Sequence, residues 1–368
     1  LSVPILFRDY ETKSTQDLKR VGAWKYSKHS STDVWCCAFA VDDREIKLWV
    51  PGDPIPAEFT EAANDLNWLV SAFNDSFERR IEQHIMAPRY GWPLVPLERH
   101  RCSQAAALTL SLPASLEKVA AALDLKQQKD DAGRRLMLQM ARPRAARQDE
   151  DPNGTYWFDD QERRTRLYAY CKQDVATERA IHQRIPPLSA GEQKLWQLDA
   201  EINDRGIPLD VELLRAALAA AKAEQDNINT EFLAHTQGCP GSINQAAQLL
   251  AWLQNNGCDV EDIRSATLEA KLEDPELPPT IRRVIELRLA GAHASANKLR
   301  AMREWCDDGR LRGAFRYHGA STGRWTSLGV QLQNLKRPET EDLDAAIAAV
   351  ASGKMNGYAR PMAVIGDL

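Results

Sequence analysis

Residues 3–9 form an apolar run that leads directly into Asp9-Tyr10-Glu11. The run is rich in β-formers, which predicts a strand. Side chains alternate along a strand, so Asp9 and Glu11 must share one face. Two carboxylates held side by side repel each other unless a cation neutralises them. Hard cations such as Mg²⁺ and Mn²⁺ prefer such oxygen ligands. Any fold for this chain therefore has to accommodate a doubly acidic strand face.

The rest of the pattern supplies the context. Residues 33–41, 46–51 and 66–72 read as further strands. Helical periodicity covers about 77–86, 114–124, 130–140 and 159–182. Strands followed by helices predict an α/β fold, a mixed sheet covered by helices. Ile185-Pro186-Pro187 marks a boundary. From residue 190 to about 304 the chain reads as almost entirely helical, with segments near 190–204, 210–236, 243–256 and 278–305. Ser242 is placed to cap the third of these. After Gly309 the texture changes to short strands and loops.

Two more acidic motifs follow the first. Asn74-Asp75-Ser76-Phe77-Glu78 puts Glu78 at the start of a helix, with Asn74 in the preceding turn. Tyr170 and Asp174 lie four apart on the predicted helix 159–182 and share a face. Asp174 could bind a metal while the Tyr170 hydroxyl holds a water.

Taken in order, these motifs resemble the DnaQ-like 3′–5′ exonucleases, the DEDD nucleases. The resemblance rests on Phe7-Arg8-Asp9-Tyr10-Glu11-Thr12, on Asn74 to Glu78, and on Tyr170 with Asp174. It spans roughly residues 3–183 and implies an RNase H-like domain. Ala169 stands where one subfamily carries His, so the Tyr-containing (DEDDy) type is indicated. Leu112 to Glu117, with Lys129-Asp130 and Gly133, is similar to this domain in phage-type family A DNA polymerases. Two positions depart from the pattern. Glu78 stands where Asp is commonest, and Phe73 where His often precedes the motif Asn.

The resemblance implies two-metal phosphodiester hydrolysis. Two Mg²⁺ ions, for which Mn²⁺ can substitute, would sit about 3.5–4 Å apart. Asp9 would bridge them, Glu11 and Asp174 would hold the ion on the nucleophile side, and Tyr170 would orient the water. Glu78 would support the second ion. Nucleoside 5′-monophosphates would leave from a single-stranded 3′ end, with Asn74 and Phe77 touching the DNA.

A second signature lies further on. Glu201 to Asp210 looks like the segment that follows the exonuclease in family A polymerases, and residues 242–304, with Ser295 to Leu299, are similar to their thumb. Thr322-Gly323-Arg324-Trp325 with Gln331-Leu332-Gln333-Asn334-Leu335 resembles the start of the palm. That implies primer–template contacts by Arg324, Gln333 and Asn334. The guanidinium offers a planar fork of donors, and the amides suit minor-groove atoms. Asp367 stands where the family places its first polymerase metal ligand, after an apolar strand ending Ala363-Val364-Ile365-Gly366. The later carboxylate and the fingers helix do not occur in these residues, so DNA synthesis is not expected from this chain alone.

The expected organisation is thus an exonuclease domain over 1–187, a mostly helical thumb-like region over 188–308, and the beginning of an α+β palm over 309–368. Net charge is −5. That argues against an all-over basic surface but not against a nucleic-acid enzyme, because local charge matters more. Residues 310–337 hold six basic side chains and no acid, and five arginines between 134 and 147 have no acid among them. Seven cysteines without a CxxC pair read as reduced and structural. No apolar stretch approaches the ~18–20 residues that span a bilayer, and no secretory leader is evident. The expectation is a cytoplasmic protein of a bacterial or phage-infected cell, associated with the nucleoid. Two alternatives remain: a catalytically defective remnant that only binds DNA, and an RNase of the same superfamily.

Overall fold

The computed structural model describes residues 3–126, 130–291, 295–335, 337–355, 358 and 361–367. The chain divides into two compact units, 1–207 with 305–333, and 208–304 with 334–368.

In the first unit five strands form one mixed sheet among the described residues. They are β1 (Ile5–Lys13), β2 (Asp33–Val41), β3 (Lys47–Trp49), β4 (Leu69–Ala72) and β5 (His100–Cys102). Their spatial order is β3-β2-β1-β4-β5. The pairs β1–β2 and β2–β3 are antiparallel, and β1–β4 and β4–β5 are parallel. β1 and β2 are buried along nearly their whole length, as expected of central strands covered on both faces. One face packs Phe7, Cys36, Ala38 and Ala40 against Cys171 and Val175 of the long helix Gln161–Arg184. The other packs Leu6, Tyr10, Cys37 and Phe39 with Ile81, Ile85 and Met86.

Asp160 caps the long helix by accepting from the Arg163 backbone N–H. The helix Leu18–Lys28 was not anticipated, because Gly22 interrupts its periodicity with φ 76°. A side chain there would be strained by that φ, and its Cβ would come within 3.0 Å of the Trp305 ring.

The helix Ala190–Arg205 and residues 305–333 belong to this unit, so it does not end at 187. Trp196 and Tyr317 share an apolar cluster with Cys102 and Ala105. The Asn203 amide acts as a strand partner for Phe315. Its Oδ1 accepts from the Phe315 N–H at 2.9 Å, and its Nδ2 donates to the Phe315 carbonyl at 3.1 Å.

The second unit is helical: Val211–Thr236, Ala246–Asn255, Ser265–Leu272, Pro279–Gly291, Leu343–Ser352 and Pro361–Asp367, together with Ser295–Trp305, whose last residue lies in the first unit. Its core gathers Phe232, Ile243, Leu249, Leu253, Val284 and Ile285. Ser242 does not cap the helix after it. It accepts from the Asn244 N–H in the preceding turn, and Gln245 holds the cap position.

The segment before Asp367 is also a correction. It is a helix, Pro361–Asp367, and not a strand. Proline is well placed in a first helical turn, a strand needs a partner, and none of the described residues of this unit pairs with it. Met362, Val364 and Ile365 bury into the helical core instead. Lys129 and Lys336 lie outside the described residues, as does the side chain of Asp367.

Candidate functional site

β1 presents Asp9 and Glu11 opposite Ala38 and Cys36 of β2, and the ladder register shifts immediately after Glu11. Small partners leave this end of the strand open to groups arriving from elsewhere. The helix Asp75–Ile81 brings Glu78 in its first turn. The long helix brings Tyr170, Cys171 and Asp174. Glu11, Glu78 and Tyr170 are buried, and Asp9 and Asp174 are half-buried. Asn74 is exposed at the cap position of its helix and makes no side-chain capping bond.

The electrostatics tie these groups together. Burial pushes Asp9 up to about 6, against a hydrogen bond from the Cys171 thiol. Burial also raises Glu11, reinforced by Asp9, Cys36, Asp174 and Glu78. Glu78 is raised by burial and by Asp9, with Arg8 pulling the other way. Asp174 is raised by burial and Asp9, while the Tyr170 hydroxyl hydrogen bond lowers it. Tyr170 is itself raised by burial and by Asp174, Glu11 and Asp9. The structure thus brings Asp9, Glu11, Glu78, Tyr170 and Asp174 to one place.

This set fits a hard divalent cation. Four carboxylates are electrostatically coupled there, and the buried Glu78 Oε2 has no hydrogen-bond partner. Ligand atoms of Asp9, Glu11 and Cys171 lie within 4.8 Å of one another. Oxygen-rich, anionic donor sets of this kind suit Mg²⁺ or Mn²⁺.

A pH signature follows. The folded state keeps protons on these carboxylates that the unfolded chain releases near pH 4, so the metal-free protein loses stability as pH rises through about 6. A bound cation removes that penalty. Mg²⁺ should therefore raise the melting temperature more at about pH 7.5 than at about pH 5. Thermal melts with and without Mg²⁺ at both values check this, and an equal shift would count against a shared cation site.

Cys171 and Arg8 were not anticipated. The Cys171 Sγ lies 3.3 Å from Asp9 Oδ2, and only the tertiary fold reveals that. Arg8 left a signal: a charged residue inside an apolar strand buried on both faces has to be paired. It is 1% exposed and meets Glu82 at 2.6 Å and Asp75 at 2.9 Å. His100 Nδ1 joins Asp75 Oδ1 at 2.9 Å. Asp75 is raised by burial, but His100 and Arg8 overcome this and hold it well below the usual carboxylate range.

Arg324 and Gln333 are exposed in the first unit, and Asn334 and Asp367 belong to the second. Gly323 adopts φ 80° beside the His318 ring. Part of the later basic run is structural. Arg310 donates to the Gly206 carbonyl at 3.0 Å, and Arg312 to that of Asp204 at 3.1 Å. In the earlier run, Arg142 pairs with Asp17 and Arg144 with Glu150.

No family model matches the chain. The DNA polymerase of Bacillus phage SP02 does. It is 36% identical over 346 residues, which is 92% of this chain and 52% of that protein. The chain therefore spans about half the length of this relative. Among solved structures, the POL domain of Pol1 from M. smegmatis, in complex with DNA primer-template and dNTP, superposes with a TM-score of 0.52. Sequence identity there is 14%, with 96% of this chain and 54% of that chain covered. That likeness concerns the fold. Among the described residues no helix is long and apolar enough to cross a membrane.

Proposed function

We propose that residues 1–187 carry a DEDDy-type 3′–5′ exonuclease, with an RNase H-like fold, belonging to a family A DNA polymerase of phage type. One observation carries this reading. Asp9, Glu11, Glu78 and Asp174, drawn from a strand and two helices, form one electrostatically coupled group, two of them buried and two half-buried, that suits divalent cations. The likeness to a phage DNA polymerase supplies the context.

Asp9, Glu11, Glu78 and Asp174 would hold two Mg²⁺ ions, with Mn²⁺ able to replace them. When bound, such ions activate a water and stabilise the leaving 3′-oxygen. The Tyr170 hydroxyl donates to Asp174, which keeps that carboxylate aimed at the reaction centre and leaves the phenol oxygen to accept from the attacking water. Asn74 and Phe77 lie beside Glu78 and would position the terminal nucleotides. The substrate is a single-stranded or frayed 3′ end of DNA, because a paired terminus cannot enter a narrow cleft. Arg324, Gln333 and Asn334 would contact primer–template in the polymerase part, and Asp367 would be its first metal ligand.

The test is degradation of a 5′-labelled single-stranded DNA oligonucleotide with Mg²⁺. A ladder shortening from the 3′ end and abolished by EDTA is expected, with a matched ribo-oligonucleotide cut more slowly. Intact oligonucleotide under conditions where the protein binds it would overturn the assignment.

A further inference from the structure

Arg324 sits in a hairpin too short to hold its own shape. Its strands, Phe315–Arg316 and Thr326–Ser327, are two residues each and pair with one another in a sheet of their own. Isolated two-stranded hairpins are marginal at best in water. Between the strands the chain turns back on itself. The Gly323 N–H donates to the Ala320 carbonyl at 2.9 Å, and the Ala320 N–H donates to the Arg324 carbonyl at 3.1 Å. A Cβ on Gly319 would run into Thr326, so the turn is also closely packed. Gln333 is tied to the same hairpin, its N–H donating to Ser327 Oγ at 3.2 Å.

The other edge of Phe315 is closed by side chains and not by a strand. Glu192, Trp196, Asp199 and Asn203 follow one another at steps of four, three and four residues along the helix Ala190–Arg205, and so share one face. Asn203 is 6% exposed and uses its whole amide. Oδ1 accepts from the Phe315 N–H, and Nδ2 donates both to the Phe315 carbonyl and to Asp199 Oδ2, each at 3.1 Å. Burial raises Asp199 only to about 6, so at neutral pH it is ionised and can only accept, which fixes the end of the amide that faces it. The Asn203 carbonyl accepts from the Gly313 N–H at 3.1 Å. Two residues beyond Phe315, the Tyr317 hydroxyl donates to Glu192, and its ring packs with Trp196. The helix face thus fastens the chain at Gly313, Phe315 and Tyr317, along the arm that leads into the turn.

We infer that Asn203 is a positioning residue for DNA: the face Glu192–Trp196–Asp199–Asn203 is a mount that holds the hairpin, and through it Arg324, ready to grip primer–template. The inference rests on the reading of Arg324 as a primer–template contact and adds the residues that act through it. A guanidinium on a loose turn must give up backbone freedom each time DNA binds. On a mounted turn that freedom is already lost, and preorganisation of this kind raises affinity.

The test is a fluorescence-anisotropy titration of a labelled primer–template in EDTA, so that no hydrolysis intervenes. It compares the full chain with Asn203→Ala, Tyr317→Phe and Arg324→Ala, and with the two double variants that combine each of the first two with Arg324→Ala. Tyr317→Phe keeps the ring in its apolar cluster and removes only the bond to Glu192, and it decides the matter if Asn203→Ala does not fold. Arg324→Ala is expected to weaken binding about 10–100-fold. Asn203→Ala should weaken it about 3–10-fold and Tyr317→Phe about 2–5-fold. Each double variant should bind no more weakly than Arg324→Ala alone, because the mount then has nothing left to position. A residue that only stabilises the fold would add its loss to that of Arg324→Ala. Amide hydrogen exchange over residues 313–328 should quicken in Asn203→Ala, with the five-stranded sheet unchanged. Additive losses in the double variants, unchanged exchange over 313–328, or full affinity in the folded Asn203 and Tyr317 variants would overturn this inference alone. Full affinity in Arg324→Ala would overturn the primer–template reading, and the inference with it.

Discussion

Asp9→Asn is expected to abolish 3′-end hydrolysis while making the metal-free protein more stable. Asp9 is the common neighbour of the cluster, since it raises Glu11, Glu78 and Asp174 alike. Replacing it with a neutral isostere removes one of the groups that would hold the cations. Loss of a single charge-stabilising group at a reaction centre typically costs on the order of 10²–10³ in rate, and a group serving both ions should cost at least that. The stability change has the opposite sign. Raising the Asp9 carboxyl from its ordinary 3.8 to about 6 corresponds to a penalty of about 3 kcal/mol at neutral pH. Asp9 is half-buried at its surface, so solvent screening reduces this to about 1–2 kcal/mol. For a unit of this size the gain amounts to about 2–8 °C in Tm. Melting curves in EDTA beside oligonucleotide degradation in Mg²⁺ check both halves. Added Mg²⁺ should raise the native Tm and leave that of the variant nearly unchanged. A variant that loses activity and also melts lower without metal would mean that Asp9 is a structural residue.

That trade of stability for charge explains which parts of the site the sequence revealed. Strand β2 has the bounds its apolar run implies, and the long helix ends within two residues of its periodic pattern at both ends. Alternation along β1 and the four-residue spacing of Tyr170 and Asp174 are local rules, and both put side chains on a shared face. Cys171 was not legible, because its approach to Asp9 depends on how the long helix packs across the sheet. The unit boundaries were not legible either. Pro186-Pro187 is a chain break in texture, yet Trp196 and Asn203 carry the first unit onward by pairing with Tyr317 and Phe315, more than a hundred residues away. The apolar run before Asp367 illustrates a further limit. Val and Ile favour strands only where a partner strand exists, and this segment buries the same side chains as a helix.

Arg8→Met should be the most damaging single change in the fold. The Arg8 guanidinium reaches both oxygens of Glu82, at 2.6 and 3.1 Å, and Asp75 at 2.9 Å. Tyr10 donates to the same Glu82 at 3.2 Å. Methionine matches the bulk of the stem but leaves Glu82 without its cation and the wholly buried Asp75 with His100 as its remaining hydrogen-bonded partner. Breaking a buried pair from one side costs about 3–5 kcal/mol, because the stranded charge stays desolvated. At the size of this unit that is a fall of about 6–20 °C in Tm. Arg8→Lys should recover only part, since a point charge cannot reproduce the planar fork that serves both carboxylates. Adding Asp75→Asn and Glu82→Gln to Arg8→Met removes the stranded charges and should restore at least half of the loss, a coupling that a double-mutant cycle would report. A fall of under about 2 °C for Arg8→Met alone would show that water reaches the network and that the charges are not truly buried. The consequence for the site follows from position. Asp75 opens the helix whose first turn carries Glu78, and Arg8 is the residue before Asp9. The same ion pair that holds this helix to β1 therefore sets the spacing of two of the four carboxylates. Any Arg8 variant that still folds should lose hydrolysis in proportion to how far Glu78 is released.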